Sequence, residues 1–214
     1  MKKLTITLVL LCLAFTGINA QEQQLESFSK WQVRLRGIAV VPNESASIEA
    51  IGGDAQISNA YVPELDFTYF FTENIAAELI LATTPHDVTA VSTAVGDIPL
   101  GDVWLLPPTL TLQYHFNGDV VHPYLGAGIN YTLFYNEDQG PVADSVSYDN
   151  SLGFAFQLGF DIDITDKWFI NLDAKYLLLN TDVTVDATTA LGATVGADVD
   201  INPFIAGIGF GMRF

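Results

Sequence analysis

Few side chains in this 214-residue sequence could carry chemistry, and their spacing says what kind. Nucleophilic catalysis needs a hydroxyl or thiol beside a base that a third group orients. Only His86 offers a start, with Asp87 next to it and Ser92 further along the same stretch. His115 and His122 flank a short connection elsewhere. That spacing is loose, and no catalytic residue is assigned from it. Cys12 falls in an apolar leader and no EF-hand spacing occurs, so neither a metal site nor a cofactor is expected. What remains is ionic. Arg34 and Arg36, Asp161 and Asp163, and Asp173 and Lys175 each stand two residues apart, with Glu78 and Arg213 in similar alternating surroundings. Residues two apart share one face of a strand, so these charges meet only if several strands bring their faces together.

Eight alternating segments could do so: 31–41, 61–71, 75–84, 105–116, 123–135, 151–164, 168–180 and 201–214. The clearest, "SLGFAFQLGFDIDI" at 151–164, sets Leu152, Phe154, Phe156, Leu158, Phe160, Ile162 and Ile164 against Ser, Gly, Ala, Gln and Asp. No stretch has a helical period of any length. Connections alternate between short (72–74, 117–122, 165–167) and long (42–60, 85–103, 136–149, 181–200). Such a rhythm describes an up-and-down barrel with tight turns on one rim and long loops on the other.

The apolar face of such a barrel turns inward in water and outward in lipid. Several segments run to ten or more residues, as tilted membrane strands require. Their other face is mostly Gly, Ala, Ser, Thr and Asn, which fits the narrow bore of eight strands better than a water-facing surface. Trp31, Trp104, Tyr124, Tyr135 and Trp168 fall near segment ends, where interfacial girdles belong. The expected fold is all-β: an eight-stranded antiparallel up-and-down transmembrane β-barrel with short periplasmic turns and long extracellular loops.

The start, MKKLTITLVLLCLAFTGINA, reads as a signal peptide over 1–20, leaving an outer-membrane barrel domain over 21–214 of a Gram-negative bacterium. Leu11 stands before Cys12 where lipoprotein processing asks for a small residue, so lipidation is not expected. Beyond the leader no cysteine remains, so the exported chain holds together without disulfides. Net charge is −17, and losing Lys2 and Lys3 makes the chain still more acidic, which argues against nucleic acid as a partner. The expected partners are outer-membrane lipids and lipopolysaccharide, together with the outer-membrane assembly machinery. The four long loops contain no Lys or Arg but fourteen acids, among them Glu44, Glu49, Asp54, Asp97, Asp138, Asp144, Asp186 and Asp198. They make a solvated acidic rim, or one that divalent cations bridge to lipopolysaccharide phosphates. At the other end, Ile208, Phe210, Met212 and Phe214 alternate to a terminal aromatic, the pattern of an assembly signal.

Inward charges can be placed by height. Arg34, Arg36, Glu78, Asp161, Asp163, Asp173, Lys175 and Arg213 fall low, and Glu64 and Asp66 nearer the middle. Unpaired charges in a narrow space are costly, so a salt-bridged periplasmic floor is expected. Higher up, the inward set is Ile38, Val40, Ile80, Ala82, Phe134, Leu177 and Ile205, which suggests an apolar lumen open to the outside.

These residues also carry a likeness. "ENIAAELILATTP" (73–85), "LPPTL" (106–110), "PYLGAGINYTLFY" (123–135) and the closing aromatic strand resemble the outer membrane protein W (OmpW) family, over essentially the whole mature chain. The resemblance implies an eight-stranded barrel whose hydrophobic upper channel binds or passes a small hydrophobic solute. It also implies that Ile80 occupies a pore-narrowing apolar position. At 175 the chain departs from it, with Lys in place of a lumen aromatic. Two other readings stand beside this one: an interaction barrel working through its acidic loops in adhesion, phage binding or stress resistance, and an acyl-chain enzyme built around His86.

Overall fold

Alternation becomes strand over more of the chain than those eight segments. The computed structural model describes residues 28–49 and 51–214; the leader assigned to 1–20 and the first residues after it lie outside the described residues. The first half of the chain forms β1 (Trp31–Val41), β2 (Ser45–Ile48), β3 (Asp54–Ile57), β4 (Ala60–Phe70), β5 (Ile75–Ala82), β6 (Thr84–Thr93), β7 (Gly96–Leu106) and β8 (Thr109–His115). It continues as β9 (Val121–Gln139), β10 (Ser145–Tyr148), β11 (Ser151–Asp163), β12 (Trp168–Leu178), β13 (Asn180–Ala187), the single-turn helix α1 (Thr188–Leu191), β14 (Ala193–Asp200) and β15 (Phe204–Arg213).

Eight of these are staves of a closed antiparallel barrel, in the order β1, β4, β5, β8, β9, β11, β12, β15, with β15 pairing back onto β1. The ring is sealed where Trp31 and Phe214 exchange backbone hydrogen bonds of 3.1 and 3.0 Å. Two of the short turns use one device. In Thr72–Ile75 and Thr165–Trp168 the threonine Oγ1 accepts from backbone N–H groups two and three residues on, an ST-turn that sets the reversal locally.

The segment expected over 105–116 is two strands, because Pro107 and Pro108 supply no N–H to a ladder. The long connections are not plain loops either. Hairpins β6–β7 and β13–β14 raise the wall above the staves: β7 pairs with the upper end of β9 and β6 with β3, while β13 pairs with β10 and β14 with β2.

Burial is inverted relative to a protein in water. Each stave exposes an apolar side chain outward: Leu35, Phe67, Leu79, Leu112, Ile129, Phe156, Leu172 and Ile208. Phe210 is 62% exposed, whereas Arg34 is wholly buried. A greasy belt around a charged interior is solvated by hydrocarbon and not by water. Aromatic pairs border it, Trp31–Tyr69 at 4.8 Å and Tyr114–Phe116 at 5.0 Å near the tight turns, Trp104–Tyr135 at 6.2 Å near the hairpins. Tyr124 is a correction. It was expected in a girdle, yet it is buried in the lumen, where Gly159 across the ladder leaves its ring the space.

Candidate functional site

Register places the charges before any side chain turns. On β1, Arg34 lies between Asp66 and Gly211, and Arg36 between Glu64 and Gly209. Each arginine thus has a carboxylate on one side and no side chain on the other. A Cβ on Gly211 would come within 2.8 Å of the Arg34 stem, and one on Gly209 within 2.8 Å of the Arg36 stem. The glycines of β15 are the clearance the guanidinium groups need.

From those positions the arginines cross the lumen. Arg34 Nε meets Asp66 Oδ1 and its NH2 meets Glu78 Oε1, both at 2.7 Å, while Thr68 Oγ1 accepts from NH2 at 2.7 Å. Arg36 reaches Glu64 through Nε and Asp66 through NH2 at 2.8 Å each, and Glu78 at 3.0 Å. Lys175 Nζ sits 2.8 Å from Glu64 Oε1 and 2.7 Å from Asp173 Oδ1. Neutral groups add further hydrogen bonds: Tyr124 Oη and Gln157 Nε2 donate to Asp173 Oδ2, Gln113 Nε2 donates to Glu78, and Asn171 Nδ2 donates to Asp161. Below, Arg213 pairs with Asp163 and lies 3.8 Å from Asp161, and its guanidinium stands over the Phe169 ring. The eight residues assigned to the floor therefore share one connected layer. Glu64 and Asp66, read as lying higher, belong to it as well. Gln113, Gln157 and Asn171 join the layer without having been assigned to it, as does Tyr124 from its expected girdle position, and strand parity turns all four inward.

Above this layer the lumen changes character. Ile38, Val40, Ile80, Ala82, Phe134, Leu177 and Ile205 all line one pocket. More of its wall comes from the raised hairpins: Val88, Ala90, Ile98, Val103 and Leu105 on β6 and β7, and Val183, Val185, Val195, Ala197 and Val199 on β13 and β14. Those residues, Leu105 apart, lie in segments expected from the sequence to be long acidic loops. Their signal was the same two-residue period, with Val183 and Val185 between Asp182, Thr184 and Asp186, and Val195, Ala197 and Val199 between Gly196, Asp198 and Asp200. About 100 Å³ is open to the centres of water-sized molecules, several times what a single water needs. The charged side chains that line the pocket are Glu64 and Lys175, at its floor.

The acids take the other face. Asp87, Asp102 and Asp138 stand side by side across β6, β7 and β9, and Asp182 opposes Asp198. A hydrogen bond that the protonated Asp102 carboxyl donates to the Asp87 carboxylate raises its pKa above the usual range, with smaller contributions from burial and from the neighbouring charges. His86 points inward, its Nδ1 2.7 Å from the Ser58 carbonyl oxygen, and burial holds its pKa below the ordinary histidine value. Asp87 faces out on the opposite side of β6. Ser92 lies six residues along the strand, about 20 Å away at strand rise. His86, Asp87 and Ser92 are thus not brought together.

The family model described as the OmpW family matches residues 29–214. An uncharacterised outer-membrane protein of Sinorhizobium fredii, y4mB, is 45% identical, with 91% of this chain and 84% of the relative aligned. The dibenzothiophene metabolism operon protein PahQ of Pseudomonas aeruginosa is 32% identical over all of both chains. Among solved structures, the crystal structure of outer membrane protein OprG from Pseudomonas aeruginosa superposes with a TM-score of 0.81 at 30% identity, covering 87% of this chain and 96% of that one.

Proposed function

The chain belongs to the OmpW family of outer-membrane β-barrels, and on that premise we propose that it binds or passes small hydrophobic molecules through its upper lumen. The observation that carries this reading is the apolar pocket raised on two hairpins above a closed ionic floor. A solute entering from outside exchanges water for apolar wall, gaining roughly 25 cal/mol for each Å² buried. The floor blocks a straight path down, so the solute leaves sideways into the membrane or downward after the ion pairs rearrange. The name of PahQ, which places that relative in a dibenzothiophene metabolism operon, is in keeping with an apolar cargo. Ile80→Asp or Leu177→Asp puts a carboxylate into the pocket wall and is expected to lower binding and liposome uptake of a hydrophobic fluorescent probe at least tenfold. Unchanged uptake would sink the reading.

The outward rows of acids favour a second role beside the first. Like charges directly opposed across a ladder destabilise it, and divalent cations bridging Asp87, Asp102 and Asp138 to lipopolysaccharide phosphates would relieve them. Chelation of divalent cations should then weaken lipopolysaccharide binding to the purified barrel. The exposed stripe of Ile208, Phe210 and Phe214, with half-buried Met212, is proposed as the handle for the assembly machinery.

A further inference from the structure

The floor of the pocket has one acceptor and one donor to spare. Glu64 Oε1 holds both Arg36 Nε and Lys175 Nζ at 2.8 Å, and among the described residues no hydrogen bond or ion pair uses its Oε2. Lys175 spends two of its three N–H groups, on Glu64 and on Asp173. Both side chains line the pocket, yet they are only 3% and 2% exposed.

We propose that the pocket selects apolar molecules ending in a single uncharged hydroxyl, a long-chain alcohol or phenol, held with the hydroxyl down between Glu64 and Lys175. The hydroxyl donates to Glu64 Oε2 and accepts the third N–H of Lys175, so one group satisfies both. A bare hydrocarbon fills the same bore but leaves both groups dry and unpaired. A carboxylate tip meets Glu64 and, behind it, a buried layer in which Arg34, Arg36 and Lys175 face Glu64, Asp66, Glu78, Asp161 and Asp173. An ammonium tip meets Lys175. Either ion sheds its water beside the like-charged member of the pair, the costly case for a buried charge. This inference rests on the pocket being a binding site for apolar solutes.

The test uses the full-length chain in lipid nanodiscs, with N-phenyl-1-naphthylamine as the fluorescent occupant and protein-free nanodiscs as the baseline. Decane, 1-decanol, decanoate and decylammonium are compared as displacers at equal bilayer concentration. Decanol should displace the probe at about one-tenth the concentration of decane, the size of one hydrogen bond to a charged group. Both ions should be weaker than decanol. In Lys175→Met, decanol should lose most of its advantage while decane is unaffected. Equal potency of decane and decanol, or an ion as the best displacer, overturns the inference and leaves the apolar pocket standing. Failure of every compound, with the probe itself unbound, overturns both. The comparison of displacers on the unaltered chain decides the matter even where the variant fails to fold.

Discussion

In the lower lumen the inward side chains are polar or charged, and three of them have a glycine across the ladder: Gly211 beside Arg34, Gly209 beside Arg36 and Gly159 beside Asp173. In the upper lumen the inward side chains are short and apolar, and their neighbours match them, as Ala197 faces Val183 and Val195 faces Val185. Long side chains beside empty positions swing across the axis and close it. Short ones of equal size stay against the wall and leave the axis free. Polarity alone does not distinguish a plug from a pocket here. The distribution of side-chain volume around the ring does.

Removing a charge from the lower region should break that contrast most severely. Arg34→Met removes the cation that Asp66, Glu78 and Asp161 share, leaving the first two to Arg36 and the third to Arg213, and breaking buried pairs in this way costs about 3–5 kcal/mol. Urea unfolding in detergent, followed by heat-dependent gel migration, measures it, and an undiminished midpoint would show that the layer is not held by its pairs. Filling an empty position comes next. Gly159→Ala drives a methyl into the Tyr124 ring and should cost about 1–3 kcal/mol by the same assay.

A third change separates the two regions. Val183→Asp charges the hairpin-built pocket wall far from the plug, so hydrophobic-probe binding should fall about tenfold, or ~1.4 kcal/mol, with little change in unfolding. Equal losses in both measurements would mean that the regions are one cooperative unit. The smallest effect belongs to the outer face. Asp102 has a carboxyl pKa raised by Asp87, so the folded rim favours its protonated form, and its ionisation costs stability as pH rises through that pKa. Asp102→Asn should therefore raise the thermal midpoint slightly at pH 7.5, and the gain should vanish once the pH falls below the carboxylate range.

Much of this was legible because a barrel wall has a strict parity. Once 151–164 is set with its greasy face outward, Asp161 and Asp163 have only the lumen left to them, and the same count turns Arg34, Arg36, Asp173 and Lys175 inward. Parity fails where composition distracts from it. Tyr124 was read by residue type as interfacial, though it alternates with Leu125 on the lipid face. The hairpins were read by their acids, and the valines between those acids went unnoticed because Gly and Asp are poor strand formers. Hairpin pairing makes those segments strands, β13 on β14 and β6 on β7, and the more distant pairing of β13 with β10 adds to it. Heights along a stave were less secure than faces, which is how Glu64 and Asp66 came to be placed above the layer they join.

The seam between β1 and β15 has a consequence for how the molecule comes into being. Both arginines that tie the floor together ride on β1, and the glycines that admit them ride on β15, the last strand made. Until that final stave docks, the sheet has two raw edges and its guanidinium groups have a wall on one side only. A half-curled intermediate would carry these ions into the bilayer incompletely paired, so such states are penalised and curling, pairing and insertion are driven to finish together. A ring complete to β15 is thus the state in which both guanidinium groups have wall on either side, and any charge left facing lipid in an incomplete one is costly.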